Sequence, residues 1–223
     1  MDEKTFKDTL KKGASELSVG LNEDALKDFH TYLNELKTWN KSVSLTALSS
    51  DEDMLAGLFL DSLTLVGVLK KYGCKRLLDI GSGAGFPGIP LKIAMPELEV
   101  LVMDSIEKKV FFMRHIIRTL SLDKKAALID AKAVRAEDKK TISAYSGYFD
   151  GVTSRAFSGL KDFVQIALPY LKHNGVILAI KGPKALKEME DLKDLADIKE
   201  ISMFEAKIPF SDRTNHIVVV TKT

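Results

Sequence analysis

An acidic residue followed by a cluster of glycines is the segment with the clearest capacity for chemistry. A short apolar run ends at Asp79 and Ile80, and residues 81–88 follow with the sequence Gly-Ser-Gly-Ala-Gly-Phe-Pro-Gly. Glycines adopt positive φ at little steric cost and let the backbone approach a ligand closely. Proline suits the first turn of a helix, so the segment predicts a strand, a glycine loop and a helix opening at Pro87. In such a unit the ligand lies beyond the carboxyl end of the strand.

The charge at this strand end indicates which ligand the loop receives. A G-x-G-x-x-G dinucleotide pattern can be read from Gly83, but the first glycine after the strand is Gly81, and counted from there Phe86 replaces the last glycine. Asp79 would repel a pyrophosphate, whereas it attracts a ligand that carries positive charge. S-adenosylmethionine (AdoMet) carries an ammonium and a sulfonium group. The loop is therefore interpreted as an AdoMet site, with a glycine turn that binds nothing as the alternative.

Residues at the ends of the next two predicted strands would complete a nucleoside site. Asp104 ends the second strand, 23 residues after Gly81, where a carboxylate can accept hydrogen bonds from the ribose hydroxyls. Ser105 follows it at the same site. The alternative role of Asp104 is to cap the helix that starts near Ile106, and Ser105 could do that capping instead. After the third strand, the backbone at Ala136 and Glu137 is expected to border the adenine, although Glu137 could equally be a solvated acid at a helix start.

The residues after the fourth predicted strand limit the chemistry of methyl transfer. Ser154-Arg155-Ala156-Phe157 stands where methylation of an exocyclic amine commonly uses an Asn/Asp-Pro-Pro-aromatic turn, and the only cysteine, Cys74, precedes the first strand on the wrong side for attack on a pyrimidine. What remains favours an acceptor with an available lone pair, such as guanine N7, which needs positioning but no general base. Arg155 is the candidate catalytic residue, able to hold a cofactor carboxylate, guanine O6 or a phosphate; a structural ion pair is the alternative.

Alternating strands and helices after residue 75 must position these groups. The strands are predicted at 76–80, 98–103, 126–130, 149–154, 175–181, 200–207 and 215–222, and the helices at 87–95, 106–120, 134–143, 158–171 and 183–195. Such alternation predicts an α/β fold with a mostly parallel sheet. Only residues 209–214 separate the last two strands, so the last strand is expected to be antiparallel. Seven strands that end in such a pair resemble the Rossmann-like sheet of class I AdoMet-dependent methyltransferases more than the dinucleotide-binding fold.

An N-terminal helical segment precedes the sheet and differs from it in charge. Residues 1–74 are predicted to form a cap, with helices at 3–19, 23–39 and about 50–71, and residues 75–223 the AdoMet-binding core. The cap holds 9 basic and 12 acidic groups in a chain of net charge +2, so the core is mildly basic, which is consistent with an RNA-binding face. The predicted phosphate contacts are Lys172, Lys181, Lys184 and Arg213. The basic face of helix 106–120 is interpreted as solvated, with phosphate contact as the alternative.

Composition excludes several other classes of protein. The 223 residues are 45% hydrophobic and 29% charged, which is ordinary for a globular protein. No apolar run approaches the roughly 18 residues of a membrane span, and the charged N-terminus has no apolar signal-peptide core. A single cysteine fits a reducing cytoplasm. The four histidines are scattered without metal-ligand spacing. We therefore expect a cytoplasmic monomer with no metal and no membrane contact.

Several of these segments together resemble the bacterial small-subunit rRNA guanine-N7 methyltransferases, the glucose-inhibited division protein B family. The matching residues are 39–41 with 45–46, 61–62, 78–90, 104–105 with 108–109, 135–137, 154–157 and 181–182. The resemblance implies AdoMet as methyl donor, S-adenosylhomocysteine as product, and a guanine in the 530 loop of 16S rRNA, alone or in the small ribosomal subunit, as acceptor. It also implies cofactor contacts at Gly81, Phe86, Ala136, Glu137 and Arg155.

Two positions depart from the pattern of that family. Ser44 stands where Asn usually precedes Leu-Thr, and Leu58 stands where His usually lies three residues before Asp-Ser. If those polar groups help to hold the substrate, the target could differ. Two alternatives therefore stay open, a small-molecule methyltransferase on the same fold and an rRNA-binding assembly factor that does not use AdoMet. A nicotinamide dehydrogenase is a more distant one.

Overall fold

A seven-stranded sheet crosses the computed structural model, which describes residues 1–155, 157, 159–192 and 195–223. Its strands are β1 (Arg76–Ile80), β2 (Glu99–Asp104), β3 (Ile129–Ala133), β4 (Phe149–Ser154), β5 (Leu171–Lys181), β6 (Ile198–Lys207) and β7 (Thr214–Lys222). They are ordered β3-β2-β1-β4-β5-β7-β6. β7 pairs antiparallel with β5 and β6, and the remaining pairs are parallel. The predicted α/β class with an antiparallel last strand is confirmed.

Helices cover both faces of this sheet and build the N-terminal cap. In the cap they are α1 (Glu3–Glu16), α2 (Glu23–Asn40), α3 (Asp51–Met54), a π-helical stretch (Leu55–Leu60), α4 (Asp61–Leu63) and α5 (Val66–Lys71). In the core they are α6 (Gly88–Ala94), α7 (Glu107–Thr119), α8 (Lys139–Tyr145), α9 (Leu160–Ala167) and α10 (Ala185–Glu190), with short 3-10 turns at Leu122–Lys124 and Leu168–Tyr170. The helix predicted at about 50–71 changes winding at Asp61, where the π-helical stretch gives way to α4, and a turn separates α4 from α5.

Helix starts in the cap follow from side-chain capping. The Asn22 side chain accepts a hydrogen bond from Ala25 N (2.8 Å) at the start of α2, and Ser50 Oγ accepts one from Asp53 N (3.0 Å) at the start of α3. Such caps satisfy backbone N–H groups that have no partner inside the helix. They fix where each helix enters the cap.

Several predicted boundaries in the core are wrong by a few residues. β3 begins at Ile129, not 126, because its pairing with β2 starts at the pair Val100 and Ile129. α8 accordingly begins later than predicted, after Asp138, whose carboxylate accepts from Lys140 N (2.7 Å). β5 begins at Leu171 rather than 175. Parts of the predicted helices at 158–171 and 183–195, and the middle of the Ser-Arg-Ala-Phe turn, fall on Ala156, Ser158, Lys193 and Asp194, which lie outside the described residues.

The cap and the sheet share one hydrophobic core. Successive residues of β1 point to opposite faces, so Leu77 packs under the cap while Leu78 packs against α9 on the other side. The cap contributes fully buried aromatic rings, Phe29 and Phe59 among them, to the core that contains Leu77. Burial of a ring of this size stabilises by roughly 1.5–3 kcal/mol. The cap is therefore held against the sheet by apolar packing, directly beside the glycine loop.

None of the helices in the described parts of the chain combines the length and the apolar character that crossing a bilayer requires.

Candidate functional site

The glycine loop lies where the carboxyl ends of β1 and β2 meet. Gly81 N and Ser82 N donate hydrogen bonds to Met103 O, at 2.9 and 3.0 Å, which ties the start of the loop to β2. Gly81 and Gly83 have φ of +70° and +61°, and a Cβ added at either would have no heavy atom within 4 Å. Positive φ and open space together make a cradle without side chains, in which a ligand can touch the backbone.

Asp79 supports this loop from below. Its side chain is fully buried, and Oδ2 accepts hydrogen bonds from Ser82 Oγ (2.5 Å) and Gly88 N (2.9 Å). Burial raises the pKa of Asp79 to about 6, although the bonds from Ser82 and Gly88 and the charge of Arg155 act to lower it. Because the carboxylate has no exposed surface, direct contact with a cofactor, as predicted for Asp79, is not what this geometry favours. Its charge reaches the cleft only through space.

Asp104 connects the loop to the start of α7. Its Oδ2 accepts from Gly83 N (2.9 Å) and its Oδ1 from Ile106 N (2.8 Å). Ile106 is the residue that precedes α7, and neither Asp104 nor Ser105 makes a side-chain capping bond to the first turn of that helix. Each carboxylate oxygen offers two lone pairs, so Asp104 retains the capacity to accept further hydrogen bonds from a ligand.

A small pocket collects most of the predicted cofactor contacts. It has a volume of about 130 Å³ and is lined by residues that include Gly81, Asp104, Ser105, Ala136, Glu137 and Phe157. Tyr170 Oη donates to Ala136 O (2.6 Å), which fixes the connection between β3 and α8 at the edge of this pocket. The pocket therefore offers backbone groups on one side and a carboxylate on the other, as an adenosine requires.

A larger cleft adjoins this pocket through Gly81, which lines both. It has a volume of about 890 Å³, with the glycine loop and Phe86 on one side and cap residues on the other. The cap wall includes residues 45–48, whose path is set by Asn40: its Oδ1 accepts from Leu45 N (2.8 Å) and Thr46 N (3.0 Å). Leu58, one of the two departures, also lines this wall, whereas Ser44 is exposed.

Arg155 crosses the cleft from the core to the cap. Its Nη1 donates to Gly57 O (3.0 Å) and lies 3.5 Å from Asp61 Oδ2, and its guanidinium carbon lies 5.9 Å from the centroid of the Phe86 ring. Burial raises the pKa of Asp61, while Arg155, Asn215 and Arg213 act to lower it. Arg155 thus takes part in an ion pair, the alternative left open above, and still faces the cleft where a catalytic residue is predicted.

The cap also contacts the glycine loop. Tyr32 of α2 is fully buried, its hydroxyl donates to Ala84 O, and its ring stacks on Phe86 with centroids 5.1 Å apart and planes 10° from parallel. A Cβ on Gly85 would lie 2.6 Å from Tyr32 Oη, so only glycine fits there. The loop is held by Asp79 from the sheet and by Tyr32 from the cap.

Sequence reasoning gave no role to two residues of this site. Asp61 is a single carboxylate inside the apolar stretch 54–69, and an isolated charge on an apolar helix is the signal that could have identified it. Tyr32 lies on the apolar face of α2, like any core aromatic residue. No pattern in the sequence marks it as a contact of the glycine loop.

The four predicted phosphate contacts occupy different environments. Arg213 is exposed and lines the cleft, and exposed Lys184 follows Pro183 at its rim. Lys181 also lines the cleft, but its side chain is only 9% exposed: its Nζ pairs with Glu188 (2.7 Å) and donates to Phe157 O (3.2 Å). Its ammonium is thus already satisfied within the protein, which weighs against the predicted phosphate contact.

Lys172 is on the wrong side of the sheet. β5 begins at Leu171, opposite Phe149 at the start of β4, so Lys172 lies at the amino edge of the parallel strands. There its ammonium pairs with Asp150. The prediction for Lys172 is wrong because that residue comes before the buried part of the strand and not after it. Lys109, on the basic face of α7 for which phosphate contact is the alternative, lines the cleft.

Metal binding finds no support in the described part of the chain, where no group of three or more His, Cys, Asp or Glu residues is placed to hold an ion.

Replacement of Asp79 by asparagine should change how stability depends on pH. The carboxyl titrates near 3.8 when unfolded and near 6 when folded, so between about pH 4 and pH 6 only the unfolded state is ionised. Stability is therefore lost as pH rises through this window. In Asp79→Asn that loss is absent, and the free energy of unfolding should shift in favour of the variant by up to about 3 kcal/mol between pH 4 and pH 7.

Urea unfolding of both proteins at a series of pH values measures this difference. Asp212→Asn, which removes an exposed carboxylate, is the matched control and should show no such trend. If the difference in free energy of unfolding between Asp79→Asn and the original chain stays constant across this pH window, the raised pKa of Asp79 is contradicted.

Comparison with known proteins places this chain in a family. A family model described as rRNA small subunit methyltransferase G matches residues 25–218. The chain is 40% identical over 221 residues to the ribosomal RNA small subunit methyltransferase G of Geotalea uraniireducens, covering 98% of this chain and 97% of that protein. It is 44% identical over 183 residues to the protein of the same name from Geobacter sp. strain M21, covering 82% and 81%.

Solved structures agree on the fold. An O-methyltransferase from Bacillus cereus, crystallised in complex with S-adenosylhomocysteine, superposes with a TM-score of 0.62 at 13% identity over 100% of both chains. A tRNA (m1A58) methyltransferase from Aquifex aeolicus superposes with a TM-score of 0.51 at 14% identity, covering 74% of this chain and 68% of that one. The class I methyltransferase fold is confirmed, and the chain belongs to the rRNA small subunit methyltransferase G family.

Proposed function

We propose that this protein transfers a methyl group from AdoMet to N7 of a guanine in the 530 loop of 16S rRNA and releases S-adenosylhomocysteine. The observation that carries the proposal is the pair of connected pockets in a chain of this family. The smaller pocket has the carboxylate and backbone groups that a nucleoside needs, and the larger cleft opens from it at Gly81. A small-subunit RNA as substrate would place the protein among the ribosomes of the cytoplasm.

The residues present fit the cofactor. Asp104 would accept hydrogen bonds from the ribose hydroxyls, and the backbone at Ala136 and Glu137 would border the adenine. Open space beside Gly81 and Gly83 leaves room for the remainder of the molecule against the loop. When bound, AdoMet supplies an electrophilic methyl group on a sulfonium.

Guanine N7 is an acceptor that requires no general base. Its lone pair carries no proton, so the protein has only to hold base and methyl group in line, a contribution that can reach several kcal/mol. Cys74, the alternative nucleophile, precedes β1 and is buried, and burial raises its pKa to about 12. Arg155 is the group in the cleft best placed to donate to guanine O6 or to a cofactor carboxylate.

The cations at the cleft suit an RNA backbone. Lys109, Lys184 and Arg213 lie at its walls or rim, and none of them is within 4 Å of a carboxylate among the described residues. Each is free to contact a phosphate, a contribution that weakens with added salt. Both walls of the cleft come from one chain, which is consistent with a monomer.

Deletion of the gene tests the proposed function. We expect N7-methylguanosine to disappear from the 530 loop, as read by nucleoside mass spectrometry, and to return when the original gene is supplied but not when Arg155→Ala is supplied. Persistence of the modified nucleoside in the deletion strain would remove the proposal.

Assays on the purified protein separate the remaining alternatives. Incorporation of labelled methyl groups into small subunits or 16S rRNA is expected. Methylation of a metabolite with RNA left untouched would favour the small-molecule enzyme. RNA binding without AdoMet binding in calorimetry would favour the assembly factor, and binding of NADH in place of AdoMet would favour the dehydrogenase.

Loss of the Tyr32 hydroxyl should weaken cofactor binding without unfolding the protein. Tyr32→Phe keeps the ring stacked on Phe86 but leaves Ala84 O without its donor. Because a neutral hydrogen bond contributes about 0.5–1.5 kcal/mol, the Kd for AdoMet should rise about 3- to 10-fold in calorimetry. Tyr72→Phe, which removes a hydroxyl that contacts Ser202 outside the site, is the control. An equal effect in both variants would exclude a specific role for Tyr32.

A further inference from the structure

A carboxylate in the cleft wall requires an explanation if the occupant is RNA. Asp61 belongs to the cap, follows an apolar stretch and lines the cleft with only 8% of its side chain exposed. An ionised group in such a place is costly unless it is paired or hydrogen-bonded, and it repels phosphates. Its presence points to a ligand that offers hydrogen-bond donors.

The bonds that Asp61 already makes leave it room for such a ligand. Oδ1 accepts from Asn215 Nδ2 (2.8 Å), and the same nitrogen also donates to Thr64 Oγ1 (3.1 Å). Oδ2 lies 3.5 Å from Arg155 Nη1, longer than the roughly 2.7–2.9 Å of a charge-assisted hydrogen bond. Among the described residues, no hydrogen bond is donated to Oδ2. The cleft therefore presents an acceptor with free capacity immediately beside a guanidinium.

We infer that Asp61 and Arg155 together recognise the Watson–Crick edge of the target guanine, an inference that rests on the proposed function. That edge presents the exocyclic 2-amine and N1–H as donors, followed by O6 as an acceptor. Asp61 accepts from the donors, and Arg155 donates to O6. Adenine has no 2-amine and offers an acceptor at N1, so it would face the carboxylate with a lone pair. Recognition of this edge is typical of bases that are splayed out of an RNA strand.

The order of groups in the cleft matches the order of atoms in guanine. O6 lies between N1–H and N7 on the base. Arg155 correspondingly neighbours both walls: its Nη1 lies 3.5 Å from Asp61 Oδ2, and its guanidinium carbon lies 5.9 Å from the centroid of the Phe86 ring in the glycine loop. A guanine read in this way turns N7 towards the glycine loop, on the side of the proposed methyl donor.

The same arrangement keeps N7 free to react. An arginine that contacted O6 and N7 together, as is common in DNA recognition, would occupy the lone pair that the reaction needs. The bond from Arg155 Nη1 to Gly57 O and the charge of Asp61 draw the guanidinium to the cap wall instead. Asp61 is thus a specificity-determining residue that also positions Arg155.

The experiment combines a change in the protein with a change in the base. Small-subunit rRNA is made by splinted ligation with either guanosine or inosine, which lacks the 2-amine, at the target position. It is offered both naked and reconstituted with ribosomal proteins. Initial rates of labelled methyl transfer give kcat/KM for the original chain, for Asp61→Asn, and for Glu52→Gln, the control that removes an exposed carboxylate of the same cap segment.

The original chain and Glu52→Gln should prefer guanosine over inosine by at least about tenfold, as expected for a hydrogen bond to a charged acceptor. In Asp61→Asn the new amide carbonyl is the atom able to accept from Asn215, so its NH₂ faces the cleft. We expect kcat/KM on guanosine to fall by about 10- to 100-fold and the preference over inosine to be largely lost, with AdoMet affinity retained in calorimetry.

Three outcomes would overturn the inference. The first is that the original chain methylates guanosine and inosine RNA equally well. This measurement does not need the Asp61→Asn variant, so it remains decisive even if that variant does not fold. The second is an Asp61→Asn penalty of the same size on guanosine and inosine, which would leave Asp61 as a support for Arg155 only. The third is an original chain that does not methylate N7 on guanosine RNA in either form, which would remove the proposed function along with the inference.

Discussion

The buried carboxylate of Asp79 is the constraint on which the site depends. It receives hydrogen bonds from Ser82 and Gly88, at the two ends of the turn between β1 and α6. A charge enclosed in this way is costly, and its raised pKa reflects that cost. These hydrogen bonds hold the turn in one conformation, in which Gly83 N donates to the Asp104 carboxylate at the end of β2. Both pockets take their common wall from this turn.

The cap is part of the site rather than an addition to it. Tyr32 donates to Ala84 O of the loop, and the Phe86 ring both stacks on that tyrosine and faces the guanidinium of Arg155. Asp61 and the carbonyl of Gly57 hold the other end of Arg155. A methyltransferase core without this segment would keep the smaller pocket but lose one wall of the cleft. The cap therefore supplies the part of the site that would face the RNA, while the core supplies the part that would face the cofactor.

Local signals allowed much of the fold and of the smaller pocket to be predicted from sequence. The glycine loop, Asp104 and the segment around Ala136 each follow a strand directly, and parallel strands bring such positions to one edge. The failures have a common cause. Whether Lys172 lies at the amino or the carboxyl edge depends on where β5 begins, and the pairing of Lys181 with Glu188 depends on the packing of α10. Neither is encoded in spacing along the chain.

Charge balance across the cleft would allow the proposed site for a sulfonium to contain an arginine. Arg155 alone would repel a sulfonium, but Asp104 lines the smaller pocket proposed for the cofactor, Asp79 is buried beneath the same loop, and Asp61 lies on the cap side. In the proposed reaction the positive charge moves from sulfur to the purine ring, because methylation at N7 makes the base cationic. A carboxylate near each end of that path means that charge is stabilised both before and after transfer. The cap carboxylate Asp61 would thus have an electrostatic role if the acceptor becomes positively charged on methylation. Guanine N7 does become charged, whereas an exocyclic amine that loses its proton ends neutral.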